Sequence, residues 1–114
     1  MSTRNPKLYL IDILKAMEAI EEFVKGIDFE TLKNDDMRSS AIIRKLEIIG
    51  EAAKNIPENI KQEYPSIPWR EMAGMRDRLI HFYFGIKYEL VWNTIKDVIP
   101  KIKPLMSEIL KKLE

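Results

Sequence analysis

Residues 37–56, with the sequence MRSSAIIRKLEIIGEAAKNI, form the stretch that decides the fold. Their large apolar side chains recur at intervals of three and four positions, as expected for a helix with one buried face. Pro57 follows directly, and proline disfavours continuation of a helix. The pattern therefore predicts a long amphipathic helix that ends near Pro57.

On its N-terminal side, the same helical spacing appears once more. Asn5 and Pro6 are typical of a helix N-cap and of the first helical position, and a glycine at position 26 is a common stop signal. These signals predict a helix over about residues 6–25. Residues 27–36, IDFETLKNDD, are predicted to form a short helical turn or loop.

On the C-terminal side, a short helical piece is predicted over residues 58–64. A longer helix is predicted from Pro68 to Gly85, with proline near its start and glycine at its end. Helical spacing resumes from Lys87 to Leu113, where Pro100 and Pro104 should bend or interrupt the helix.

Strand signals are nearly missing from the chain, because no run alternates apolar and polar residues and no Asn-Gly or Asp-Gly turn occurs. The predicted fold class is all-α, an up-down bundle of four main helices plus short helical pieces. With 114 residues and no linker or repeat, residues 1–114 should form a single domain.

The composition excludes several kinds of site. The chain has no cysteine and one histidine, so disulfides, thiolate chemistry and a typical zinc or iron site are excluded. No cofactor is expected, and only a carboxylate-bound magnesium would remain possible among metals. No segment is apolar enough for a signal peptide or a membrane span, so the protein is expected in the cytoplasm. A net charge of +1 means that any contact with RNA should be local.

The stretch GMRDRLIHFYFG, residues 74–85, holds an unusual number of polar groups. In the helix predicted from Pro68 to Gly85, which contains this stretch, four apolar residues form the core-facing side: Met72, Met75, Leu79 and Phe82. Asp77, Arg78 and His81 fall on the opposite side, where the Asp77 carboxylate can reach the imidazole of His81. Such exposed pairs commonly do nothing beyond contacting water.

Arg76 does not fit that simple interpretation. It lies about 140° from His81 around a regular helix, on a more apolar side, and a buried unpaired arginine is very costly. Arg76 and His81 can therefore act on the same atom only if the helix unwinds near the site or if two chains supply the two groups.

A second polar cluster lies on the helix predicted at residues 37–56. Arg44, Glu47, Glu51 and Lys54 share one face, and Gly50 sits on a flank where another helix could approach closely. The simplest interpretation is a solvated ladder of ion pairs. Two others remain open: Glu47 or Glu51 pairs with Arg76 and holds it in place, or the two glutamates bind magnesium.

The chain resembles the HepT-like group of the HEPN superfamily. The signature is an arginine, a polar residue, three further residues and a histidine, extended by a tyrosine, and it matches Arg76, Asp77, His81 and Tyr83. Asp77 stands where that group more often has asparagine. The resemblance covers nearly the whole chain: YLIDILKAMEAIEEFVKG, AIIRKLEIIGEAAKNI, YPSIPWREMAGMRDRLIHFYFG and ELVWNTIKDVIPKIK.

This resemblance implies a homodimer whose two motifs face each other across a cleft and cleave RNA without a metal ion. Arg76 and His81 would be catalytic, and Asp77 would orient His81. Arg78 would be a nearby phosphate contact or only a solvated charge. Glu47 and Glu51 are candidate supporting residues because of the pairing with Arg76 that their helix face permits. It also implies a toxin–antitoxin pair, in which a minimal nucleotidyltransferase of the MNT type is the antitoxin. That partner would transfer AMP from ATP to Tyr83.

The residues suit such chemistry. RNA cleavage without metal needs a base for the 2′-hydroxyl, an acid for the leaving oxygen and a cation for the phosphate. Two chains would bring two histidines and two copies of Arg76. The alternative is a non-catalytic helical module that binds the nucleotidyltransferase.

Overall fold

The computed structural model describes residues 4–81 and 85–113, including their side chains except those of Arg76, Ile80 and His81. Most of the described residues are helical, and one pair of very short strands is also present. The α-helices are α1 (Pro6–Phe23), α2 (Phe29–Asn34), α3 (Asp36–Lys54), α4 (Glu58–Glu63), α5 (Trp69–Ala73), α6 (Met75–Leu79), α7 (Tyr88–Asn93) and α8 (Ile99–Leu113). The strands are β1 (Ile80–His81) and β2 (Gly85–Ile86), and a π-helical turn covers Thr94–Val98. The predicted all-α class is confirmed.

Side-chain caps fix where the first helices begin. Asn5 accepts a hydrogen bond from the backbone N–H of Lys7 at 2.9 Å, and Pro6 is the first residue of α1, as the sequence predicted. Asp28 caps α2 in the same way by accepting from the N–H of Thr31 at 2.8 Å. The sequence predicted either a short helical turn or a loop over residues 27–36, and this segment contains a capped helix.

The core forms where α3 crosses its neighbours. Helix α1 packs against α3 and α8, and α3 also packs against α5 and α6. The side chains at the centre are almost fully buried: Leu10, Ile13, Met17, Ile42, Leu46, Ile49, Met106 and Ile109. Burial of these aliphatic groups, at about 25 cal/mol per Å² of apolar surface, is the main force that holds the helices together. No described helix is long and apolar enough to cross a membrane.

The predicted helix from Pro68 to Gly85 is wrong in its second half. Helix α5 ends before Gly74, α6 ends at Leu79, and β1 pairs antiparallel with β2, with Ile80 opposite Ile86. The residue types after Leu79 explain the change, because β-branched and aromatic side chains favour extended backbone over helix. Gly85 has φ +85°, a conformation that other residues rarely adopt.

The C-terminal segment runs on more continuously than its prolines suggested. Helix α8 contains Pro104 and does not end there. The departure from α geometry comes earlier, in the π-helical turn Thr94–Val98. In a regular α-helix the ring of Pro100 would clash with the carbonyl of Lys96, four residues before it, and the wider turn includes Lys96. Pro100 thus affects the helix on its N-terminal side.

Asp35 at the start of α3 gives a first prediction. Its carboxylate accepts from the backbone N–H of Arg38 at 3.0 Å and from the Arg38 side chain at 3.2 Å, and these bonds, the backbone one above all, lower the pKa of Asp35. A lowered folded-state pKa stabilises the fold fully above the unfolded value of 3.8 and progressively less as the pH falls below it. We expect Asp35→Ala to lower the melting temperature at neutral pH, and the difference from wild type to shrink in acid.

Thermal melts between neutral pH and the acid range measure this difference. The matched control is Asp36→Ala, which removes the neighbouring exposed carboxylate and leaves the cap intact. A deficit of Asp35→Ala that stays constant through the acid range would show that the carboxylate's charge is not the source of the stabilisation.

Candidate functional site

The motif residues Arg76, Asp77, Arg78 and His81 are split between two elements. Arg76 belongs to α6, whereas His81 belongs to β1. The backbone leaves the helix at Leu79, whose carbonyl accepts a hydrogen bond from the N–H of Lys87 at 2.8 Å. The sequence left two ways for Arg76 and His81 to act on the same atom, an unwound helix or two chains. In this chain the helix does end between the two residues. The helical spacing from which a contact between Asp77 and His81 was predicted does not hold, because α6 ends between them.

Not every predicted motif residue can be placed. The side chains of Arg76 and His81 lie outside the described part of the chain, as do Phe82 and the proposed AMP acceptor Tyr83. The roles assigned to these residues remain predictions. Met72, Met75 and Leu79 do form the buried side of α5 and α6, as the sequence predicted.

Gly50 lets the motif-bearing segment lie directly on α3. A Cβ atom built at Gly50 would come within 3.1 Å of the Met72 carbonyl oxygen and 3.4 Å of that of Ala73. Both neighbours are backbone atoms of α5, which cannot rotate away as a flexible side chain could. The close approach predicted at Gly50 is confirmed, and it sets the position of α5 and, through it, of α6.

This contact predicts a large effect for a bulky residue at position 50. We expect Gly50→Leu to lower the free energy of unfolding by about 1–3 kcal/mol, since overpacking pushes α5 away from α3. Chemical denaturation measures the change. Arg44→Leu is the control, because it adds the same side chain at an exposed position of the same helix. Equal stability of the two variants would mean that α5 does not depend on contact with Gly50.

A groove beside the motif brings several predicted site residues together. It has a volume of about 350 Å³ and is lined by α1, α3, α5 and α6. The lining includes Glu47 and Glu51 from α3 and Asp77 from α6. Arg78 is not in this lining; it borders a smaller cavity between α5, α6 and α7. Three of the four supporting residues therefore share one groove, and Arg78 does not.

Acidic groups slightly outnumber basic ones in the described lining of this groove. The carboxylates are those of Asp12, Glu47, Glu51 and Asp77, and the cations are those of Arg4, Arg44 and Lys54. On the α3 face predicted to carry a ladder of ion pairs, Arg44 Nη1 lies 4.0 Å from Glu47 Oε1, at the outer limit of an ion pair. The small excess of carboxylates means that the described lining as a whole would not attract a phosphate strongly.

The sequence did not indicate the contribution of α1 to this groove. Arg4 pairs with Asp12 at 2.8 Å and stacks over the ring of Tyr9 at 4.7 Å. Tyr9 and Asp12 are three positions apart and so share a helix face, which is the only local signal for them. Because Tyr9 and Asp12 are far from residues 76–81 along the chain, local spacing could not indicate that they line the same groove as Asp77.

The described carboxylates do not form a metal site. In the part of the chain that the structure describes, no three or more His, Cys, Asp or Glu side chains are placed so that they could hold one metal ion. The magnesium interpretation of Glu47 and Glu51 therefore has no third ligand among these residues.

Comparison with known proteins identifies relatives along the full length. The model of the family described as Ribonuclease HepT-like matches residues 13–109. A protein of Methanocaldococcus jannaschii named "Putative RNase MJ0125" is 49% identical over 114 residues, covering 100% of this chain and 98% of the relative. A protein of Thermococcus cleftensis named "Probable ribonuclease HepT" is 51% identical over 108 residues, covering 95% of this chain and 98% of the relative. No solved structure matches the chain.

Proposed function

We propose that this chain, which belongs to the ribonuclease HepT-like family, is an endoribonuclease that cleaves RNA without a metal ion. The main support for the proposal is the full-length similarity to relatives named as ribonucleases, in a chain that has the sequence Arg76-Asp77-Arg78-Leu79-Ile80-His81. The end of α6 at Leu79 supports it, because Arg76 and His81 are then not held on different sides of one helix.

The proposed reaction uses the 2′-hydroxyl of RNA as the nucleophile. One His81 takes the hydroxyl proton, the oxygen attacks the adjacent phosphorus, and a second His81 gives a proton to the departing 5′-oxygen. Imidazole suits both steps, since its ordinary pKa of about 6.5 lies near physiological pH. Arg76 binds the phosphate, ideally through two hydrogen bonds of its guanidinium group. The products are a 2′,3′-cyclic phosphate and a free 5′-hydroxyl.

A second copy of the chain completes the proposed site. One chain has one histidine, so a base and an acid of the same type require a homodimer with both motifs at one cleft. Asp77, Glu47 and Glu51 line the groove next to the motif, where they are suited to position His81 or Arg76. Arg78, which faces a different cavity, is proposed only as a peripheral phosphate contact.

Control of the activity is proposed to rest on a partner enzyme. The chain would be the toxin of a toxin–antitoxin pair in the cytoplasm, and an MNT-type nucleotidyltransferase would be its antitoxin. The partner would transfer AMP from ATP to the hydroxyl of Tyr83, with release of pyrophosphate. Tyr83 is two positions after His81 in the sequence. The phosphate of an AMP group on Tyr83 would therefore repel RNA close to the proposed site, and its nucleoside would obstruct access.

Cleavage of labelled total RNA by the purified protein in EDTA tests the proposed activity. We expect fragments that carry cyclic phosphate ends, at a rate that added magnesium does not raise. Cleavage that disappears in EDTA would contradict the metal-free mechanism. Absence of cleavage across several RNA pools, with Tyr83 shown by mass to be unmodified, would favour the non-catalytic module that binds the nucleotidyltransferase.

A further inference from the structure

A shallow basic trough lies next to the groove that contains Asp77. It has a volume of about 460 Å³ and is lined by Lys54, Glu58, Lys61, Gln62, Trp69, Arg70 and Ala73. Lys54 and Ala73 also line the groove, so the two depressions are continuous along the end of α3 and the side of α5. An extended ligand could therefore occupy both.

The two depressions differ in charge. The lining of the trough has three cationic side chains and one carboxylate, that of Glu58. In the groove, four carboxylates stand against three cations in the described lining. Among the described residues, Lys54, Lys61 and Arg70 have no carboxylate within ion-pair distance. Their charges are therefore available to an anionic ligand, which the groove alone would attract poorly.

We propose that this trough binds the sugar–phosphate backbone of single-stranded RNA and leads it to the groove beside the motif. The inference rests on the proposed function for the identity of the ligand. Charge complementarity supports it, because a chain of phosphates is the polyanion that a row of lysine and arginine side chains attracts most strongly.

Trp69 indicates how the RNA is recognised. Its side chain is only 7% exposed, and its indole N–H donates to the carbonyl of Tyr64 at 3.1 Å. A ring held this way forms part of the trough floor and is not available for bases to stack on. The trough therefore recognises phosphates, and its binding should depend little on base sequence.

The salt dependence of RNA binding tests the proposal. The background is the His81→Ala protein, so that the RNA stays intact, and the ligand is a fluorescently labelled oligouridylate. The test variant adds Lys54→Gln, Lys61→Gln and Arg70→Gln. Each lost phosphate contact should reduce the slope of log affinity against log salt by about 0.7, so the triple variant should lose about 2 from that slope.

A matched triple variant controls for net charge. Lys15→Gln, Lys33→Gln and Lys101→Gln remove three exposed lysines that line neither depression. We expect this control to keep nearly the whole slope, and melting curves should show all proteins folded. If Lys61→Gln impairs folding, the pair Lys54→Gln and Arg70→Gln alone should still reduce the slope by about 1.4.

The outcome is independent of whether the chain cleaves RNA. Equal slopes for the trough variant and the control would overturn the proposal, and would leave the trough to another class of ligand, such as an acidic protein. A reduced slope confined to the trough variant would support it, even if wild type and His81→Ala then showed the same cleavage. Loss of cleavage in His81→Ala with equal slopes would support the proposed function and contradict the trough.

Discussion

Replacing His81 with alanine is expected to lower the rate of RNA cleavage by about 100-fold to 10,000-fold, the range found when a positioned acid or base is lost. The chain has no other histidine that could take over the proton transfers. The rate should be measured in EDTA at RNA concentrations well above the dissociation constant. Under these conditions the protein is saturated with RNA, so a lower rate reports slower turnover and not weaker binding. Melting curves should show that the variant is folded.

Substitutions at Arg76 test the same proposed active centre independently. Arg76→Lys should keep part of the activity and Arg76→Ala much less, because lysine retains the charge but cannot form the paired hydrogen bonds. Arg78→Ala is the comparison variant: Arg78 is exposed, borders a different cavity and is proposed only as a peripheral phosphate contact, so its loss should lower the rate much less than Arg76→Ala does. Wild-type cleavage by His81→Ala would place the chemistry elsewhere, and equal losses in Arg76→Ala and Arg78→Ala would mean that Arg76 has no special role.

Replacing Tyr83 with phenylalanine is expected to leave cleavage active and to abolish its inhibition by the nucleotidyltransferase and ATP. Phenylalanine lacks the hydroxyl oxygen that would attack the α-phosphorus of ATP, and so it cannot accept AMP. Intact-protein mass before and after incubation with the partner measures the transfer, and the cleavage assay measures its effect. Wild type should gain the mass of AMP and lose most of its activity.

Tyr88→Phe is the control for this prediction. Tyr88 lies at the start of α7, five positions after Tyr83, and is partly exposed. The Tyr88→Phe protein should still accept AMP and be inhibited as wild type is. A mass gain on the Tyr83→Phe protein would place the acceptor elsewhere, and inhibition without any mass gain would mean that the partner acts by binding alone.

The fold could be predicted where hydrophobic spacing and capping signals agree. Residues 37–56 combined this spacing with a stop signal at Pro57, and α3 extends from Asp36 to Lys54. The prediction failed after Leu79, where the apolar residues continue at helical spacing but are β-branched or aromatic. Spacing reports which side of an element is buried, and Met75 and Leu79 are indeed buried. It does not report whether the backbone remains helical.

The candidate site was predictable only in part, for a related reason. The shared face of Glu47 and Glu51 is a local property of one helix, and both residues do line the groove. The arrival of Asp77 at the same groove depends on α5 lying against Gly50, and the arrival of Arg4 and Asp12 depends on the packing of α1 against α3. Those contacts join distant parts of the chain, which local spacing cannot reveal.

The most direct test of the central claim, one active centre built from two chains, is a mixing titration. Wild-type protein is refolded together with increasing amounts of His81→Ala protein, and cleavage is measured per wild-type chain. If the centre needs both histidines, excess His81→Ala protein traps wild-type chains in mixed dimers, and activity per wild-type chain should fall toward zero. Activity per wild-type chain that stays constant at every ratio would contradict the claim, because each chain would then hold a complete site of its own.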